Sequence, residues 1–224
     1  MANSIPHGLS YEEAAGIPEV FLTAYQALVW HTKLQKDEKI LIHAGASGVG
    51  TAAIQIAELI GAEIFITASK EKHKICRELG AVHTIDYKSE DFAESIREIT
   101  QNSGVDVIID FVAGPYFARN LNSLRRDGRL AILATLGGGK TDDADIRQIL
   151  VKRLTIIGST LRSRTIEYQA GLNQDFMLFS ADKFEKGILK PVIDSVFDWK
   201  DTAKAHLYME ANKNMGKIVL NISG

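Results

Sequence analysis

The sequence predicts an α/β protein with a doubly wound parallel sheet of about six strands, followed by the remnant of a second unit. Three observations carry this reading. Short apolar runs alternate with helical stretches from Lys39 to Ser159. A glycine-rich turn, His43 to Ala52, separates the first apolar run from the first helix after it. Past Ser159 the alternation gives way to a long helical stretch. Repeated strand–helix order requires parallel strands with right-handed crossovers, and therefore helices on both faces of the sheet.

The elements follow in chain order. A helical preface comes first: Ser10 and Glu13 have capping-box spacing, and Glu19–Trp30 reads as a longer helix. Lys39–Ala44 is short, apolar and bounded by charge and glycine, as a buried strand is. Ala53, Ile54, Ala57 and Ile60 fall at helical spacing within Gly50–Ile60. Ile64–Ala68 is the second strand, and Lys70–Leu79 the next helix, closed by Gly80. Val82–Asp86 reads as a short strand, with Ser89 as the N-cap of a helix running through Ile99. Val105–Val112 is a strand, after which Pro115 opens a helix reaching Arg125. Arg129–Thr135 and Leu154–Ser159 complete the alternating unit. A helix over Ile166–Lys186, a strand over Val192–Phe197, a helix over Asp201–Asn212 and a strand over Lys217–Ile222 follow. These last two strands have no evident partners in the alternating unit, and a two-stranded sheet is marginal by itself. The expected organisation is a connector over 1–17, a dinucleotide-binding unit over 18–165, and a segment 166–224 belonging to an incomplete catalytic domain.

Composition narrows the function classes. A net charge of −2 gives no electrostatic reason to expect nucleic acid or an anionic membrane as partner. There is no apolar run of bilayer length and no basic start followed by an apolar stretch, so a cytoplasmic protein is expected. The single cysteine, Cys76, excludes an internal disulfide and any multi-cysteine zinc site. No histidine has companions that suggest a ligand set, and no metal is expected. His43 reads as a satisfied core histidine, and Asp110 as a strand-end carboxylate capping the next turn.

The sharpest signal is the turn. Gly45, Ala46, Ser47, Gly48, Val49 and Gly50 lie directly after a strand and open a helix. Small residues there let the backbone approach a pyrophosphate, and the helix start offers free N–H groups and a positive dipole end. The pattern is a Rossmann-type fingerprint in which Ser47 replaces the middle glycine. The second strand bears on the cofactor. An NAD site places a carboxylate near its end to take the ribose 2′-hydroxyl. Here Thr67-Ala68-Ser69-Lys70-Glu71-Lys72 puts a hydroxyl and lysines there instead, and the only carboxylate, Glu71, already belongs to the next helix. A 2′-phosphate wants donors and positive charge, so NADPH is the expected cofactor.

These segments, together with GIPEVFLTAYQAL at 16–28, IDYKSEDF at 85–92, GGGK at 137–140, TLRSR at 160–164 and MEANKNMGKIVL at 209–220, cover nearly the whole chain. In them the sequence resembles the zinc-independent medium-chain reductases, and within these the zeta-crystallin-like NADPH:quinone oxidoreductases, with its nearest likeness in their p53-inducible branch. Ser47 is also what that branch uses. The resemblance implies that Thr23 lines the nicotinamide side, that Ala46 to Val49 hold the pyrophosphate, and that Ser69, Lys72 and Tyr87 hold the 2′-phosphate. It further implies that Leu136 and Gly137 lie beside the nicotinamide, that Leu161, Arg162 and Ser163 lie beneath it, and that Asn212 is a C-terminal cofactor contact. The resemblance assigns no catalytic side chain. The family's N-terminal substrate domain precedes the segment matching Leu9 and is absent from this sequence, so 166–224 is expected to be the tail of a GroES-like domain without its body.

Three functions follow as expectations. The first is reduction of quinones or related conjugated carbonyls by NADPH. The second is an enone or enoyl-thioester reductase using the same cofactor site. The third is a non-enzymatic NADPH-binding, dimerising module. In each the edge strand 154–159 is expected to pair with its copy in a homodimer.

Overall fold

The apolar runs form one parallel sheet. The computed structural model describes residues 3–141 and 143–222. Six strands pair in the order β3-β2-β1-β4-β5-β6: β1 (Lys39–Ile42), β2 (Glu63–Ala68), β3 (His83–Asp86), β4 (Val105–Asp110), β5 (Leu124–Ile132) and β6 (Thr155–Gly158). All six residues of β4 are buried, which is why its sequence is a continuous apolar run flanking two aspartates rather than an alternation. β1 pairs with β2 on one side and β4 on the other, so the strand order reverses between β1 and β4. Ligands of open α/β sheets bind in the crevice at the carboxyl ends of the strands at such a switch point.

Helices cover both faces. On one lie α2 (Pro18–Tyr25), α3 (Gly48–Ile60) and α8 (Ile166–Glu185), with Phe21, Leu28, Ile54, Leu172, Phe176 and Phe184 in a single core. Phe21 meets Phe184 edge-on at 5.0 Å between ring centroids. The Asp175 carboxylate accepts from Trp30 Nε1 (2.7 Å) and Tyr25 OH (3.0 Å), tying α8 to the α2 segment. Burial, aided by Asp175, pushes the Tyr25 phenol up to about 12. On the other face α5 (Phe92–Ile99) and α6 (Gly114–Ser123) bury Phe92, Ile96 and Leu121 against Phe65 and Ile108. Each such side chain stabilises the fold by about 1.5–3 kcal/mol. The remaining helices are α1 (Tyr11–Ala15), α4 (His73–Glu78), α7 (Arg147–Lys152) and α9 (Thr202–Glu210). No helix among the described residues is long and apolar enough to cross a membrane.

Several local expectations are corrected. The helix expected over Glu19–Trp30 ends as α-helix at Tyr25 and continues as a π-helical segment over Gln26–His31. Thr32 closes that segment, its hydroxyl donating to the Ala27 carbonyl at 2.8 Å. Residues Lys70–Lys72 form a 3-10 turn before α4. The N-cap of α5 is Asp91, whose carboxylate accepts from the Ala93 N–H, whereas Ser89 donates to Asp86. β5 begins at Leu124, hidden from a hydrophobicity reading by Arg125-Arg126-Asp127, and its register against β4 shifts between Val105 and Val107.

The trailing strands find no partner in the large sheet, as expected, and what the sequence did not show is that β7 (Ile193–Asp198) and β8 (Lys217–Asn221) pair with each other in parallel, joined through α9. The pair stays separate from the large sheet but is pinned to it. Gly216 N–H donates to the Ala46 carbonyl at 2.8 Å, and a single bridge joins Ser47 to Gly216.

Candidate dinucleotide site

β1 ends at Ile42, and the chain turns at once. Ala44 stands at φ +49°, and Ser47 caps α3, its hydroxyl accepting from the Gly50 N–H at 3.1 Å. Thr51 N–H donates to the Ser47 carbonyl. Gly48 and Val49 therefore carry the two remaining N–H groups of a helix's open first turn. Glycine is needed here for close approach. A Cβ on Gly50 would strike the Ala44 carbonyl and lie 2.6 Å from that of Gly45, and a Cβ on Gly45 would lie 2.8 Å from Ile66 Cβ. A Cβ on Gly48 would meet Lys217 Cδ at 2.7 Å and Val20 at 3.0 Å. The glycines thus let the turn close tightly on itself, and the open helix start presents free N–H groups and a positive end, which suits a pyrophosphate.

At the end of β2 the predicted residues gather, with partners the sequence did not disclose. Ser69 is buried. Lys72 is also buried, and its amine donates to Asn212 O (2.7 Å), Asn212 Oδ1 (3.0 Å) and Asn214 O (2.9 Å). Burial pulls the Lys72 pKa down, against the pull of Glu71 and Asp194. The structure therefore brings Lys72 and Asn212 together, with the three protons of the amine engaged by the 212–214 loop. Two residues here went unassigned. Glu71 is held at about 2 by its own backbone N–H, then by the Ser69 hydroxyl and Lys88, which lies 3.3 Å away. Lys88 follows Tyr87, whose side chain is 40% exposed and so open to a ligand.

On the other side of the switch point, Asp110 closes β4 as expected. Its Oδ1 accepts from the N–H groups of Val112 (2.7 Å) and Ala113 (3.1 Å). The loop after β5 rests on this turn: Gly137 N–H donates to Val112 O and Gly114 N–H to Gly138 O, both at 2.9 Å. A Cβ on Gly137 would lie 2.8 Å from Val112 Cγ1, while neighbouring Leu136 is fully open to solvent at 81% exposure. Leu161 packs on the core, whereas Arg162 and Ser163 are exposed. Ser163 Oγ lies 2.6 Å from Thr160 Oγ1. A groove of about 600 Å³ opens between Leu133–Thr135 on one side and Ser159, Thr160, Ser163 and Arg164 on the other, at the carboxyl ends of β5 and β6. Thr23 is half-buried on α2, one turn after Val20, which packs over Gly48. His43 is fully buried and bonded through both ring nitrogens, to Thr67 and Asn120.

Residues 48–174 match the family model described as zinc-binding dehydrogenase. The described residues do not fit a zinc site. No three His, Cys, Asp or Glu among them converge, and burial pushes the Cys76 thiol up to about 11, away from the thiolate a metal needs. The chain is 34% identical over 221 residues to the phenolphthiocerol synthesis polyketide synthase type I Pks15/1 of Mycobacterium marinum, covering 97% of this chain and 10% of that protein. Among solved structures it matches an NAD-dependent alcohol dehydrogenase with a TM-score of 0.85 and 33% identity, over 97% of this chain and 61% of that one. It matches the CurK enoyl reductase with a TM-score of 0.83 and 34% identity, over 98% of this chain and 65% of that one. The chain thus spans a tenth of that synthase and less than two thirds of either solved chain.

Proposed function

The chain belongs to the medium-chain dehydrogenase/reductase family, and within it we propose that the chain serves an NADPH-dependent reductase of conjugated carbonyl acceptors, quinones first among them. The carrying observation is the end of β2. Ala68 and Ser69 stand where an NAD site needs a carboxylate, and Lys72 and Lys88 supply positive charge around them. The likeness to an NAD-dependent alcohol dehydrogenase does not fix the cofactor of this chain, and the local chemistry at the end of β2 is what supports NADPH.

Residues 45–50 would hold the pyrophosphate, and Ser69, Tyr87 and Lys88 would face the 2′-phosphate, with Lys72 fixing the 212–214 loop beside them. Thr23, Leu136, Gly137 and Leu161–Ser163 would bound the nicotinamide side. The chemistry supplied by a bound reduced nicotinamide is hydride transfer to the electrophilic carbon or oxygen of the acceptor. The accompanying proton would come from water, since the oxygen of a reduced quinone is basic enough to take it. The groove at the carboxyl ends of β5 and β6 would orient the acceptor. A second reading, reduction of enones or enoyl thioesters, is favoured by the likeness to the CurK enoyl reductase. β6 is the sheet edge, with Ile156 and Ile157 half-buried and Leu150 of α7 78% exposed. Such an apolar edge supports pairing with a second copy in a dimer.

NADPH oxidation followed by absorbance, with an ortho-quinone and an enoyl thioester in parallel, tests the reading. The quinone is expected to be the faster acceptor. Turnover of the thioester alone would replace the first reading by the second, and NADPH binding with no turnover of either would leave a binding module.

A further inference from the structure

Beneath the phosphate turn runs a buried string of polar side chains that the proposed reaction leaves without a role. His43 Nδ1 lies 2.9 Å from Thr67 Oγ1, and Nε2 lies 2.8 Å from Asn120 Oδ1. Asn120 Nδ2 donates to Asp110 Oδ2 at 2.8 Å, and Asp110 in turn receives the Val112 and Ala113 N–H groups. Thr67, His43, Asn120 and Asp110 are all buried.

Chemistry fixes the direction of each bond. A carboxylate only accepts, so Asn120 must turn its amide nitrogen to Asp110 and its oxygen to His43. That oxygen needs a donor, so His43 carries a proton on Nε2. Burial pulls the His43 pKa down, outweighing the attraction of Asp110, while Arg119 pulls it further down. A neutral ring leaves Nδ1 as an acceptor, so the Thr67 hydroxyl donates. Thr67 Oγ1 can then accept the Ala44 N–H, 3.4 Å away in the phosphate turn.

The two ends of the string are special backbone. Ala44 is left-handed at φ +49°, and Ala113 stands at φ +63°, ψ −116°, a region that residues with a side chain rarely adopt. Ala113 leads into the contacts that seat Gly137 and Gly138. We propose that His43, as the neutral Nε2–H tautomer, is a positioning residue that holds loops 111–114 and 136–138 in place relative to the phosphate turn. A dinucleotide gripped at its pyrophosphate then meets an ordered surface for its far half. This rests on the reading of the chain as a dinucleotide-dependent reductase.

The test compares NADP⁺ with 2′,5′-ADP, which lacks the far half, by calorimetry on the full chain and its variants. Asn120→Leu cuts the string, His43→Asn is too short to reach Asn120, and His43→Gln keeps a donor toward it. Asn120→Leu and His43→Asn should weaken NADP⁺ about tenfold, as expected for one lost buried hydrogen bond, and 2′,5′-ADP less than about twofold. His43→Gln should retain most NADP⁺ binding. Nitrogen-15 shifts of the wild-type ring, which need no variant to fold, should show Nε2 protonated and Nδ1 bare at neutral pH. Equal losses for both ligands, or an Nδ1–H or charged ring, would overturn the inference while the proposed function stands. A wild-type chain that binds no NADP⁺ or NADPH would overturn the proposed function, and the inference with it.

Discussion

The six-stranded sheet and the β7–β8 pair are both strand–helix–strand assemblies with parallel strands, but different forces hold them. Every residue of β4 is buried, and β1 and β2 are buried except at their first residue. In β7 no residue is fully buried, and in β8 only Val219 is. The large sheet is stabilised by apolar burial on two faces. The small one is held by fewer ties, some away from the candidate site, as Ile193 against Gly16, and others on it: Gly216 on Ala46, Lys217 over Gly48, and Lys72 on Asn212 and Asn214. The contacts at the candidate site thus run through the less buried region, as is common where a surface must admit a ligand.

The comparison can be broken by substitution. Ile108→Ala, at a fully buried position of β4, should cost about 2–5 kcal/mol in denaturant unfolding, whereas Val196→Ala in β7 should stay within about 0.5 kcal/mol. Similar costs at the two positions would mean that the small sheet is packed as tightly as the large one. Gly50→Ala presses a methyl group against the Ala44 and Gly45 carbonyls, which belong to the turn itself and cannot yield. It should cost about 1–3 kcal/mol and lower NADPH affinity well beyond its effect on unfolding. Unchanged NADPH affinity in a folded Gly50→Ala protein would remove the turn from the site. The smallest global effect is expected from Lys72→Met. It removes three bonds from a buried amine and leaves carbonyls at 212 and 214 without their donor. Hydrogen exchange should quicken across 212–216 while β1 and β4 stay protected. Uniform loss of protection would show that Lys72 supports the whole fold rather than the attachment of the pair.

Much of the large sheet was legible because its signals are local. A buried parallel strand is a continuous apolar run, and the glycine turn announces itself between strand and helix. Gly45 and Gly50 fall at fingerprint positions, but Ser47 reads only as a replacement for the middle glycine; the structure makes it the cap of α3, which starts at Gly48 rather than Gly50. What the sequence concealed depends on distant backbone. Lys72 looks like a solvated or phosphate-binding lysine until its acceptors, 140 and 142 positions later, are in place. The pairing of β7 with β8 was hidden because each strand is short and half-exposed, so neither carries a full apolar run. Leu124 was missed as a strand start because the next three residues are charged, and Ser89 was preferred to Asp91 because both can cap a helix and only the backbone geometry chooses. Glu71 was set aside as helical, yet the 3-10 turn keeps it beside Ser69.

That placement of Glu71 makes cofactor choice the point at which the account is most exposed, because a carboxylate and a lysine share the surface meant for a 2′-phosphate. Calorimetric titration of the wild-type chain with NADPH and with NADH, under one buffer and salt, measures it directly. The account predicts NADPH the tighter ligand by at least about tenfold, or about 1.4 kcal/mol, from Ser69, Tyr87 and Lys88 acting where an NAD site has its acid. Equal affinities, or a preference for NADH, would contradict it.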